Sequence, residues 1–186
     1  MPRGVCLLLL SVALAPAIHA ASAACKPPAD RVVTIPLPGH PFRAIPSQDS
    51  RWGFISLIAG DRSQVSGVGV LRCGDGRLEL ARVVPLKAQP LGLVLTHDGK
   101  LLIAAAGDSV LVLEVSRLTL GEGDPVLGTF MDGPDAGSVY VNVTDDDRTL
   151  FISDEGAAAI TVIDLARARM NGYSGGARIG KLIWDR

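Results

Sequence analysis

Pro90-Leu91-Gly92-Leu93-Val94-Leu95-Thr96-His97-Asp98-Gly99-Lys100 decides the fold, because the chain carries this pattern three times. Pro41-Phe42-Arg43-Ala44-Ile45-Pro46-Ser47-Gln48-Asp49-Ser50-Arg51 lies 49 residues earlier, and Ser138-Val139-Tyr140-Val141-Asn142-Val143-Thr144-Asp145-Asp146-Asp147-Arg148 lies 48 residues later. In each copy a short apolar run leads to Ser or Thr, a polar residue, Asp, a turn residue and Lys or Arg. Asp98-Gly99 suits a tight turn, since Gly takes positive φ without steric cost and Asp can accept from nearby backbone N–H groups. Ser50 and Asp147 stand in place of that glycine in the other copies.

Outward from the turn, each repeat offers further strands. The second strands are Trp52-Gly53-Phe54-Ile55, Leu101-Leu102-Ile103-Ala104 and Thr149-Leu150-Phe151-Ile152. Val68 to Leu71, Val110 to Leu113 and Ile160 to Asp164 follow as third strands rich in β-branched residues. Fourth strands fall at Leu78 to Leu86, near Val126 to Phe130, and at Arg178 to Trp184. Four short strands per repeat of about 48 residues is the arithmetic of a propeller blade. A β-sandwich also uses many short strands, but it has no reason to reuse one hairpin at a near-constant interval. Only Leu165 to Met170 has helix-favouring composition outside the leader, and that run is too short to stand alone. Leu93, Val94, Leu95, Ile103, Val110, Val112, Val141, Ile152, Ile160 and Val162 are expected to be buried between sheets.

Leu150-Phe151-Ile152-Ser153-Asp154, followed by Ile160-Thr161-Val162-Ile163-Asp164, resembles the motif of the YVTN-type β-propeller repeat family. There Tyr-Val-Thr-Asn ends one strand and a Val-x-Val-Ile-Asp strand follows. Pro90-Leu91-Gly92 and Thr96-His97-Asp98-Gly99-Lys100 are similar to its Pro-x-Gly and Ser-Pro-Asp-Gly-Lys elements. The resemblance covers about residues 31–184. It implies the fold of the lactonase-like seven-bladed propellers, with about three four-stranded antiparallel blades forming the open arc of an incomplete propeller. It does not single out a function, since such repeats serve lactonase-like enzymes and periplasmic or surface binding proteins alike. The sequence departs from the family at Arg43 and Tyr140, where Gly is usual, and at Ser138, where Pro is.

Residues 1–23 read as a secretory signal peptide, with Arg3, an apolar stretch from Val5 to Leu14, and small residues around Ala20 and Ala23. The stretch is shorter than the roughly 20 residues of a spanning helix, so no membrane span is expected and the product is placed in the periplasm or outside the cell. Residues 24–186 form the partial propeller, with repeats at about 38–86, 87–135 and 136–186. Removal of the leader leaves Cys25 and Cys73 as an even pair in an oxidising compartment, which a disulfide can join. Lipidation of Cys25 is the alternative. The formal charge of −1, with no Lys/Arg cluster, argues against nucleic acid as a partner. No Cys/His cluster has zinc-ligand spacing, and neither a metal nor a cofactor is expected.

Catalytic constellations are thin. His97 sits inside the repeated turn and reads as solvated turn chemistry, as does Asp145-Asp146-Asp147, and no Gly-x-Ser-x-Gly elbow occurs. Function is sought instead in the column Arg43, Gly92, Tyr140, where the repeats break their own rule. By the family resemblance this strand is the innermost and lines the central channel, so Arg43 can hold an anionic group and Tyr140 can stack or donate a hydrogen bond. Three alternatives follow: an exported module that binds a protein, glycan or small ligand, a lactonase-like hydrolase of sugar lactones, or a fragment of a longer propeller protein. An isolated strand at Val32 to Leu37 precedes three repeats of four strands, an open arc whose end faces invite self-association.

Overall fold

The structure is a computed structural model, and it describes residues 32–184 apart from 62, 75, 134, 135 and 174. The expected leader and Cys25 lie outside the described residues. Within them the chain is all-β, folded into three four-stranded antiparallel sheets that follow one another in sequence and do not close on themselves. Blade 1 holds β1 (His40–Pro46), β2 (Trp52–Ile58), β3 (Gly67–Gly74) and β4 (Arg77–Pro85). Blade 2 holds β5 (Leu93–Leu95), β6 (Leu101–Ala106), β7 (Ser109–Glu114) and β8 (Val126–Met131). Blade 3 holds β9 (Ser138–Val143), β10 (Thr149–Asp154), β11 (Ala159–Asp164) and β12 (Arg178–Ile183). Each sheet is a meander in sequence order, and the first strands β1, β5 and β9 lie side by side.

The repeated motif explains its own composition. Thr96 Oγ1 donates to Asp98 Oδ1 at 2.7 Å and accepts from Leu101 N at 3.0 Å, while Lys100 N donates to the same Asp98 oxygen at 3.0 Å. Ser47 and Asp49 build the identical knot in blade 1, and Thr144 and Asp146 build it in blade 3. The residue after each Asp is left-handed, with φ of 55° at Ser50, 68° at Gly99 and 55° at Asp147. One hydroxyl and one carboxylate thus close the β1–β2, β5–β6 and β9–β10 hairpins without further residues.

Alternation along the strands fills two cores, one on each side of blade 2. Phe54, Val68 and Val70 of blade 1 meet Leu102, Ala104, Leu111 and Leu113, while Ile103, Val110 and Val112 on the other face meet Val141, Leu150, Ile152 and Ile163 of blade 3. Of the residues expected inside, Leu93, Ile103, Val110, Val112, Val141 and Ile152 are buried, and Val94, Leu95 and Val162 are partly so. Ile160 is 41% exposed, because it lies on the face of blade 3 turned away from blade 2.

Three further expectations are corrected. Val32 to Leu37 is not a strand: the segment has no strand partner among the described residues, although Ile35 and Leu37 pack against Ile55, Leu57 and Leu71 on the outer face of blade 1. They sit on blade 1 as Val84 and Leu86, 49 residues on, sit on blade 2. Leu165–Met170 does form a helix, α2, between β11 and β12, and Val115–Leu120 forms α1 at the matching place in blade 2. Neither six-residue helix holds by propensity, since burial of Leu118 in α1 and of Leu165 and Ala168 in α2 fixes them against the sheets. Asp145-Asp146-Asp147 is not wholly a solvated turn, because Asp147 is buried.

Candidate functional site

Every blade opens with a β-bulge in its innermost strand. In blade 2, Leu91 N donates to Ala105 O at 2.7 Å and Ala105 N donates to Gly92 O at 2.9 Å, so two residues oppose one. In blade 1 the pairing jumps from Pro41 to Ala44, and Arg43 N donates to the Ser56 hydroxyl at 3.0 Å. Blade 3 repeats this with Tyr140 N and the Ser153 hydroxyl at 3.1 Å. The rule-breaking column Arg43, Gly92, Tyr140 therefore coincides with the bulges, the points at which a strand re-aims its side chains.

Gly92 is fixed by close approach. Its N–H donates to Val139 O at 2.8 Å, and a Cβ built on it would stand 2.4 Å from that oxygen and 2.8 Å from Tyr140 Cα. The missing side chain lets β9 come in against blade 2 and leaves the way clear above it. Across that gap the Phe42 ring of blade 1 reaches the Tyr140 ring of blade 3, with centroids 6.0 Å apart and planes tilted by 37°. Both rings stay open to solvent, Phe42 at 40% and Tyr140 at 49%. Arg43 is exposed beside Phe42 and has no carboxylate in salt-bridge reach among the described residues. Phe42 was not singled out from sequence, because in the alignment it falls among ordinary apolar residues, Leu91 and Val139.

A second polar cluster locks blade 3 onto blade 2. Lys181 Nζ lies 3.0 Å from Asp154 Oδ2 and 4.0 Å from Asp132 Oδ1. Ser138 Oγ and Thr161 Oγ1 donate to Asp132 at 3.0 and 2.5 Å, and the N–H groups of Gly137 and Ala157 donate to Asp154 at 2.8 and 2.9 Å. Burial would raise the Asp154 carboxyl, but these N–H groups and the Lys181 ammonium outweigh it and hold it below the usual carboxylate range. These side chains bond to one another and to backbone N–H groups across the junction, the arrangement of structural cement.

His97 joins the turns. Its N–H and ring Nδ1 meet Asp147 Oδ1 at 2.8 and 3.0 Å, Asp98 N donates to Asp147 Oδ2 at 2.9 Å, and the Gln48 amide donates to the His97 carbonyl. Burial again pushes Asp147 upward, and the His97 and Asp98 donors overcome it and leave the carboxyl below its ordinary value. Among the described residues no group of His, Cys, Asp and Glu could hold a metal ion, and no helix is long and apolar enough to cross a membrane. Cys73 is disulfide-bonded.

Three meandering sheets arranged with their first strands side by side, each carrying the same bulge and the same turn, match solved structures of known architecture. The chain is an open arc of a β-propeller. It is similar to a periplasmic gluconolactonase of Pseudomonas aeruginosa, with 18% identity and a TM-score of 0.61 over 79% of this chain and 43% of that one. It is also similar to a Bacteroides fragilis protein provisionally named a 6-phosphogluconolactonase, with 17% identity and a TM-score of 0.61 over 82% and 42% of the two chains. A Desulfotomaculum acetoxidans protein of unknown function matches at 18% identity and a TM-score of 0.59, over 78% and 43%. The arc thus spans well under half the length of these propellers, and identities this low carry the fold alone. No family model and no curated protein matches the chain.

Proposed function

We propose that the arc is an exported binding module whose inner rim takes a small ring-bearing anion, such as a sugar acid. The Phe42 and Tyr140 rings stack on the ligand and Arg43 pairs with its acidic group. One observation carries this: in a chain with 4% aromatic residues, two half-exposed rings from different blades meet over Gly92, next to an arginine that has no counter-ion among the described residues. Aromatic faces bind the apolar side of a sugar ring, and a guanidinium fork suits a carboxylate or phosphate. The names of the two lactonase-type neighbours favour ligands related to sugar acids and their lactones, and the word periplasmic in one of them accords with a signal peptide at residues 1–23.

The rival is a lactonase-like hydrolase. Opening a lactone needs a positioned base for water, and the three inner strands contain no carboxylate and one histidine, His40, whose ring packs against Gly60. Binding without turnover is therefore the better fit to the rim. If further blades complete the ring in a longer protein, the same residues line its channel. Calorimetric titration with glucuronate, a sugar ring that carries a carboxylate, should show binding that Arg43→Ala weakens at least about tenfold, the scale of a lost charge-assisted pair. Hydrolysis of gluconolactone by the purified protein, abolished by the same substitution, would contradict the binding-only module.

A further inference from the structure

Each rim residue comes with a partner 13 positions on, Ser56 after Arg43, Ala105 after Gly92 and Ser153 after Tyr140. In every blade that partner is the residue the bulge opposes. Where the bulge carries a side chain, the partner is serine, and its hydroxyl accepts the bulge N–H at 3.0 Å from Arg43 and 3.1 Å from Tyr140. Where the bulge is glycine, the partner is alanine, and the N–H crosses instead to the next blade, from Gly92 to the Val139 carbonyl at 2.8 Å. The carbonyl in Val139's column one blade earlier is that of Leu91, and it is the Ser56 hydroxyl that donates to it, at 2.6 Å. Ser56 is buried on the face of blade 1 that meets blade 2, opposite Val68 and two residues on from Phe54.

We infer that Ser56 is the positioning residue of the rim, relaying the Arg43 N–H to the Leu91 carbonyl so that an arginine can stand where blade 2 has room only for glycine. This role rests on the reading of Arg43 as the group that pairs with the ligand. A Cβ at Gly92 would lie 2.4 Å from the Val139 oxygen, so the direct bond excludes a side chain at this column. A hydroxyl accepts and donates at once. Two links of 3.0 and 2.6 Å therefore take the place of one of 2.8 Å, and neither the N–H nor the carbonyl is left unmade. The hydroxyl's other neighbour, the Arg43 carbonyl, lies at 3.4 Å, so the proton goes to Leu91. The relay ties the Arg43 backbone to blade 2 and fixes where its side chain leaves the strand. A charge on the rim thus depends on an uncharged side chain in the core.

Two cycles of substitution test the relay and the ligand separately. In urea denaturation Ser56→Ala should lower the midpoint of the parent, and should lower it by roughly half as much or less in an Arg43→Gly background, where the N–H closes directly on Leu91 as that of Gly92 does on Val139. An equal drop in both backgrounds overturns the relay. In calorimetric titration with glucuronate, Ser56→Ala should weaken binding roughly fivefold, the scale of one hydrogen bond, and should add nothing to Arg43→Ala, since a residue that acts through Arg43 then has nothing to act on. Weakening of the same size in both backgrounds, or none in the parent, overturns the positioning role. If the parent binds no glucuronate, the ligand reading falls and the urea cycle still decides the relay. Amide exchange in the isotope-labelled parent decides it without any substitution. The Arg43 N–H should exchange as slowly as the Gly92 N–H, and exchange at the rate of an open loop overturns the relay.

Discussion

Ser/Thr, Asp and a left-handed residue form a knot that each blade ties in the same way, and its chemistry sets an acid limit on stability. Hydroxyl and backbone donors hold Asp49, Asp98 and Asp146 below the usual carboxylate range, in Asp98 against the opposing effect of burial. Asp147 and Asp154 are lowered by their own donors. A depressed carboxyl binds fewer protons in the native state than in the unfolded one. Its contribution is complete above the unfolded value of about 3.9 and is lost as pH falls through the native value. Thermal midpoints should therefore be flat from about pH 5 to 7 and drop below about pH 4, with a shallower drop in Asp147→Asn. A midpoint that held steady down to pH 3 would show that the knots do not need charge. Gly92→Ala is a second residue-scale case. Its Cβ meets the Val139 carbonyl and the Tyr140 backbone, which cannot swing aside, so urea denaturation should show a loss of about 2 kcal/mol. The knot was legible in sequence because three copies repeat it. The reach of Asp147 into the neighbouring turn was not, since one repeat aligned on another carries no record of which blade a side chain faces.

Strands were the most readable elements, because apolar runs of blade length recur between turn signals and need only a neighbour to become strands. The helices escaped for the opposite reason. Val115–Leu120 has three Ser, Thr or Val residues in six, and its helical form depends on Leu118 finding a pocket and on Gly121 closing the last turn at φ 76°. Val32 to Leu37 looks like a strand in composition but is left without a hydrogen-bonded partner among the described residues. The cement between blades 2 and 3 was also invisible, since Asp132, Asp154 and Lys181 come from β-ends separated by tens of residues. Asp154→Ala strips a buried partner from two N–H groups and an ammonium, and chemical denaturation should register a loss of about 3 kcal/mol. A change under about 1 kcal/mol would mean that water replaces the carboxylate at this junction. For the disulfide at Cys73, the proposed partner is Cys25. Peptide mapping without reduction should recover the two joined, and a free Cys25 thiol would rule the pairing out.

At the scale of the whole molecule, three blades with their inner strands side by side form a curved rim, and the features that distinguish it from a generic stack are Phe42, Arg43 and Tyr140. Repeat alignment pointed to two of these by their irregularity. It missed Phe42, whose importance comes from its ring contact with Tyr140, two blades away in sequence, which only the arrangement of the blades creates. The rim is therefore the place where the functional account stands or falls. Titrating glucuronate into isotope-labelled protein and following backbone amide shifts by NMR tests it most directly. The account predicts shifts concentrated at Phe42, Arg43, Gly92 and Tyr140 and absent from the same titration of Arg43→Ala. Shifts gathered on the outer face of blade 3 or around the His97 turn, or no shifts at saturating ligand, would contradict it.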